Sequence, residues 1–319
     1  MKGITLKPKA GFESDYFAFE SSLELMTPTP PHADLFSAFG STDFLVKQSI
    51  VPVVAWVPGA STIRCIGTGF IVSCTGYMIT ASHVLLDPQE RGYGNVVRRE
   101  GAVEMIDGVA MGVLMPINPA TGMRGFKMMQ FEQAWHWGEW VESPLIHERR
   151  KYEGLTDVAV CKLKEHQDGS AFQPLNLSLN RFVEGEQAYA IGYAEMPDIP
   201  VEHSQAGMRI PEFKWELYVS VGVVADVFPQ NHISKDLPVP GPSFDFRARI
   251  PGKMSGGPIF GAQGAVVRGV VSRSFTGEKH AFGSMLGPTM RLPFPDQRSL
   301  KSIMDAGLDG IAVVHGQGL

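Results

Sequence analysis

Three short motifs, each at the end of a strand-like run, constrain this chain more than any other feature. Residues 252–258 read Gly-Lys-Met-Ser-Gly-Gly-Pro, which sets Ser255 between two apolar β-like runs. The glycines beside it let another backbone come close and permit backbone angles that a Cβ forbids. His83 closes the run Ile79-Thr80-Ala81-Ser82-His83, and Asp157 opens Asp157-Val158-Ala159-Val160. A serine hydroxyl is a weak nucleophile at neutral pH. It needs an imidazole base, and that base must be held in one tautomer by a third group. His83 and Asp157 lie 74 residues apart and Ser255 a further 98 along, so only a fold that gathers distant strand ends unites them.

The rest of the pattern predicts such a fold. Runs at Ile50–Val57, Thr62–Val72, Tyr77–Thr80 and Leu155–Leu163 read as one set of strands. Gln187–Gly192, Trp215–Val227, Phe244–Ile250, Gly257–Phe260, Ala265–Ser272 and Ala281–Leu286 read as a second. Gly and Pro punctuate them at short spacing, as in barrels and sandwiches. Ser73-Cys74-Thr75-Gly76 reads as a hairpin turn, and Pro52 restricts its run to an edge or a strand start. Only Asp296–Ala306 has a helical stripe, through Leu300, Ile303 and Met304. A further short helix is expected near Asp34–Phe39. Trp135 and Trp137 alternate with His136, which puts both rings on one face, as core packing or as a substrate-facing wall. The expected organisation is an arm over 1–45, a first barrel over 46–165 with an insertion at about 87–150, a second barrel over 170–292, and a helix and tail over 293–319.

With 28 basic against 33 acidic residues and a net charge of −5, the chain lacks the basic excess of a nucleic-acid partner. No stretch approaches the roughly 18 apolar residues of a membrane span. Cys65, Cys74 and Cys161 cannot all pair within one chain, and they read as buried thiols in a reducing compartment. A cytoplasmic protein is expected, with no membrane partner. No metal-ligand spacing, phosphate-cradling loop or cofactor motif is present.

The motifs resemble those of the chymotrypsin-like (trypsin-fold) serine proteases, nearest to the bacterial HtrA-like branch. Gly67-Thr68-Gly69-Phe70-Ile71-Val72 followed by Gly76 to Val84 is similar to that family's entry to its catalytic histidine. The Asp157 motif, the strand Gly185–Tyr193, the Ser255-Gly256-Gly257-Pro258 motif and Val266–Ser272 resemble the rest, in the family's order. The resemblance covers roughly residues 50 to 292. It implies an all-β fold of two antiparallel six-stranded barrels with a short C-terminal helix, and hydrolysis of protein or peptide substrates. His83, Asp157 and Ser255 would form the triad, and the backbone N–H groups of Lys253 and Ser255 the oxyanion hole. Arg249, Ser272, Arg273, Ser274 and Gly283 would border the substrate. About a dozen residues follow the helix, so the PDZ domain of the full HtrA architecture is not expected.

Two positions depart from the family. Lys253 stands where the family has a glycine whose N–H binds the oxyanion, and losing such a donor typically costs ~10²–10³ in rate. Either the 252–254 segment rests in a non-productive conformation set by substrate or a protein partner, or Lys253 accepts the normal geometry at modest strain. Met254 replaces the aspartate that captures a new N-terminus in the digestive enzymes, so activation by that salt bridge is not expected. The contrasting expectation is a protease-fold binding or regulatory module whose catalysis is vestigial or licensed by a partner. Arg249 either floors the primary pocket and selects acidic side chains, or turns to solvent or to Asp245. His280 either contributes to that pocket or is an exposed loop histidine.

Overall fold

In a computed structural model the described residues are 2–7, 48–57, 59–86, 96–99, 102–105, 109–116, 126–142, 150–166, 169–204, 207–209, 217–229, 239–262, 266–274, 280–291, 294, 296–305 and 314–316. Six strands form the first barrel: β1 (Ile50–Trp56), β2 (Thr62–Ile71), β3 (Tyr77–Thr80), β4 (Ala110–Pro116), β5 (Phe126–Glu142) and β6 (Arg150–Leu163). They close in the order β4-β1-β2-β3-β6-β5 and back to β4, every pair antiparallel. The second barrel holds β7 (Gln187–Tyr193), β8 (Leu217–Phe228), β9 (Ser243–Arg247), β10 (Pro258–Gly261), β11 (Val266–Ser274) and β12 (Ala281–Met285). It closes as β10-β7-β8-β9-β12-β11 and back to β10, again antiparallel. The expected pair of six-stranded barrels is therefore present.

Two staves of the first barrel, β4 and β5, come from the 87–150 stretch that the sequence assigns to an insertion. Four of their buried residues are methionines (Met111, Met115, Met128, Met129), which fill irregular space but lack the β-branched signature of a strand. Lys2–Lys7 pairs with β5 and with the Ala102–Met105 strand, extending the sheet beyond the barrel. The helix expected near Asp34–Phe39 lies outside the described residues.

β1 is apolar throughout because both its faces are buried. Val51, Val53 and Ala55 point into the first barrel, whereas Ile50, Val54 and Trp56 join a cluster shared by both barrels. β1 meets β4 only from Val53 onward, so Pro52 sits where no partner asks for its missing N–H. Trp135 and Trp137 do share a face, and both are buried in the shared cluster. Trp135 packs on Phe294 with centroids 4.5 Å apart, which makes this face a core seam. The second barrel has its own interior around Phe182, Phe244, Phe246, Val271 and Met254.

The helix is shorter than its stripe suggests: α2 spans Leu300–Asp305, the five-residue α1 (Ser82–Leu86) being the one that carries His83. Ser299 explains the late start. Its Oγ accepts from the Ser302 N–H at 3.1 Å while Ser302 Oγ accepts from the Ser299 N–H at 2.9 Å, a reciprocal cap that fixes the first turn. Leu300, Ile303 and Met304 then dock into the shared cluster. No helix among the described residues is long and apolar enough to cross a membrane.

Tyr193 ties the barrels together most directly. Its side chain is fully buried, and its hydroxyl donates to the Ile50 carbonyl of β1 at 2.9 Å. Removing the hydroxyl while keeping the ring strands a buried carbonyl, which costs about 1–3 kcal/mol. Tyr193→Phe is therefore expected to lower unfolding free energy by that amount in urea titration, and an unchanged midpoint would show the tie to be dispensable.

Candidate active site

α1 follows β3 with only Ala81 between them, so the β3 hairpin delivers His83 to the barrel rim. Asp157 lies on the neighbouring stave β6, where Ala159 pairs with Thr80. The two side chains meet closely. His83 Nδ1 lies 2.7 Å from Asp157 Oδ2, and the His83 backbone N–H donates to Oδ1 at 3.0 Å. With both carboxylate oxygens engaged, Nδ1 carries its proton and Nε2 is left as the basic nitrogen. Both side chains are about nine-tenths buried. Burial pushes the Asp157 carboxyl up, but the charge of protonated His83 and the hydrogen bonds from its ring, from Ser272 and from the His83 amide outweigh it. The net result holds the carboxyl below its ordinary value.

Ser272 on β11 joins this pair to the nucleophile candidate. Its hydroxyl donates to Asp157 Oδ2, and its carbonyl accepts the Ser255 hydroxyl at 2.9 Å. The structure thus gathers His83, Asp157 and Ser255 around one residue of the second barrel. Sequence reasoning placed Ser272 only along the substrate. A hydroxyl at the end of the apolar run Val270-Val271 was the signal for its second role.

The loop before Ser255 is fastened at each peptide. The Gly252 carbonyl accepts from the Glu195 N–H at 2.7 Å, the Lys253 carbonyl from the Thr68 hydroxyl at 2.9 Å, and the Ser255 carbonyl from the Thr68 N–H at 2.8 Å. Met254 is fully buried in the second barrel's interior, which explains an apolar residue there. Lys253 has φ = 72°, in the left-handed region that costs a residue with a Cβ roughly 1–2 kcal/mol. The backbone therefore adopts the conformation for which glycine is the natural choice. Gly256, at φ = 88°, has no alternative: a Cβ would stand 2.1 Å from the Thr68 carbonyl oxygen.

The remaining candidates fall in different settings. Arg249 is exposed, with its carbonyl accepting from Ser220 Oγ at 2.5 Å, so it does not form a buried pocket base. Asp245 instead meets His280, whose Nε2 approaches Oδ1 to 2.9 Å. His280 is half-buried rather than an exposed loop residue. Arg273 is exposed beside Ser272, and Ser274 is half-buried. Gly283 faces the barrel interior, where a Cβ would lie 2.2 Å from the Phe244 ring. None of the three cysteines is in a disulfide, and burial pushes the Cys65 thiol up to about 12, leaving it unreactive. Among the described residues no group of three or more His, Cys, Asp or Glu is placed to hold a metal ion.

A family model described as the trypsin-like peptidase domain matches residues 67–267, more than half of the chain. No curated protein matches. The chain is similar to the crystal structure of Deg5, at 17% identity over 82% of this chain and 93% of that one, with a TM-score of 0.46. It is similar also to the MamO protease domain from Magnetospirillum magneticum, at 18% over 76% and 95%, with a TM-score of 0.42. For the HtrA-type protease AlgW with a decapeptide the figures are 14%, 82%, 67% and 0.44. On the span of the family match, which takes in all three candidate residues, the chain belongs to the trypsin-like peptidase family.

Proposed function

We propose that the protein is a serine endopeptidase that cleaves protein or peptide substrates through an acyl-enzyme. The observation that carries this reading is the His83–Asp157 pair at 2.7 Å, bound through Ser272 to the Ser255 hydroxyl. Ser255 Oγ attacks the scissile carbonyl. His83 Nε2 takes the hydroxyl proton and returns it to the leaving amine, while Asp157 holds the ring and balances its positive form. The oxyanion is received by the N–H groups of Lys253 and Ser255. The Gly252 carbonyl is drawn towards Glu195, and in a trans peptide the Lys253 N–H then points the opposite way, which fits a donor role. Three cysteines outside any disulfide suit a reducing compartment such as the cytoplasm.

One observation favours a second reading, a fold whose catalysis waits for substrate or a protein partner. The Ser255 hydroxyl spends its single proton on the Ser272 carbonyl, so that proton must turn to His83 before attack.

A fluorophosphonate probe separates the two readings. The wild type is expected to label on Ser255, Ser255→Ala not at all, and His83→Ala about 10⁴-fold more slowly. An unlabelled wild type would leave only the binding or partner-licensed module.

Asp157 also predicts a pH effect on stability. Its folded carboxyl is held below the ordinary value of 3.8, so its stabilisation is complete above that value and lost as pH falls through the folded one. Denaturant midpoints measured from pH 7 down to pH 3 are expected to fall more steeply for the wild type than for Asp157→Asn. Parallel curves would mean that the carboxylate is not specially held.

A further inference from the structure

Lys253 keeps a left-handed backbone although it is not glycine, and the hydrogen bonds around it show what holds it there. On its N-terminal side the Gly252 carbonyl is fixed by the Glu195 N–H. On its C-terminal side the Lys253 carbonyl is fixed by the Thr68 hydroxyl. That hydroxyl has only one direction available. Thr68 is fully buried, its Oγ1 accepts from the Tyr193 N–H at 3.0 Å, and its single proton therefore goes to Lys253. The Thr68 N–H meanwhile holds the Ser255 carbonyl at 2.8 Å. One residue of the first barrel thus grips the loop of the second on both sides of Met254.

We propose that Thr68 is a positioning residue for the oxyanion hole, its hydroxyl holding Lys253 in the conformation that presents the loop's N–H donors. This rests on the peptidase reading above. The surroundings of Thr68 are shaped for the task. A Cβ on Gly67 would come within 2.9 Å of the Ser255 carbonyl, and one on Gly192 within 3.1 Å of Thr68 Oγ1. Thr68 also belongs to the strand that pairs with the histidine's hairpin, through Gly69 opposite Thr80. The Thr80 hydroxyl donates to the Thr68 carbonyl at 2.7 Å. Thr68 therefore fixes the donor loop relative to the strand that delivers the base. Glycine at 253 would reach this conformation unaided, and a lysine there needs the hydroxyl.

The test compares Thr68→Val, which keeps the shape and loses the hydroxyl, with Thr68→Ser, each also combined with Lys253→Gly. Thr68→Val is expected to slow fluorophosphonate labelling of Ser255 about 10²-fold, with kcat for a peptide substrate falling far more than KM rises. Thr68→Ser is expected to restore the rate, and the loss to shrink in the Lys253→Gly background. Amide hydrogen exchange over 252–256 is expected to accelerate in Thr68→Val and not in Thr68→Ser. Wild-type labelling rates in Thr68→Val overturn the proposal, as does a loss that is the same in the Lys253→Gly background, since that marks a merely structural role. If the wild type itself does not label, the peptidase reading fails. Exchange then decides the role of Thr68 alone, and unchanged exchange in Thr68→Val overturns it.

Discussion

The site depends on the contact between Thr68 and the 253–256 loop. In the proposed reading the first barrel carries the base and its orienting carboxylate and the second the nucleophile, so neither barrel alone assembles the site. The Thr68 N–H and hydroxyl, which donate to the Ser255 and Lys253 carbonyls, set the spacing between them, and that close approach is possible only because Gly256 lacks a Cβ. The pattern of glycines around Ser255 therefore has a packing cause as well as a chemical one. Two β-surfaces meet there at a distance that side chains would forbid. Tyr193 and the shared apolar cluster hold that seam closed from behind.

Ser272 gives the second link across the seam. It is bound to Asp157 through its hydroxyl and to Ser255 through its carbonyl, so a shift of β11 moves Asp157 and Ser255 together. Coupling of this kind suits a reaction in which misplacement of about 1 Å is costly. It also concentrates the polar groups of the site in a region otherwise buried, where their hydrogen bonds are worth most.

Much of this was legible in the sequence, for physical reasons. The strands of the second barrel announce themselves through β-branched runs cut by Gly and Pro, and the three candidate triad residues sit at strand ends with recognisable flanks. The full reach of β4 and β5 was less legible because Met111, Met115, Met128 and Met129 take buried positions where β-branched residues would mark a strand. Gly112 is required in β4 because a Cβ would strike the Met129 carbonyl at 2.0 Å. The start of α2 was misjudged because Gln297, at φ = 65°, and the Ser299 cap delay it, while Leu300, Ile303 and Met304 show only its apolar face. The roles of Ser272 and Thr68 arise where distant strands cross, and local patterns do not encode such crossings. For Arg249 the spacing from Ser255 left a pocket floor and a solvent-facing side chain both open, and the residue is exposed.

The central claim is that Ser255 and His83 act as one nucleophilic unit. The most direct test is the rate of peptide hydrolysis by the wild type, Ser255→Ala, His83→Ala and the double variant. Residues that work as a unit are strongly non-additive. Each single substitution is therefore predicted to remove nearly all activity, and the double to remove no more. Retained activity in either single variant, or losses that multiply in the double, would contradict the account.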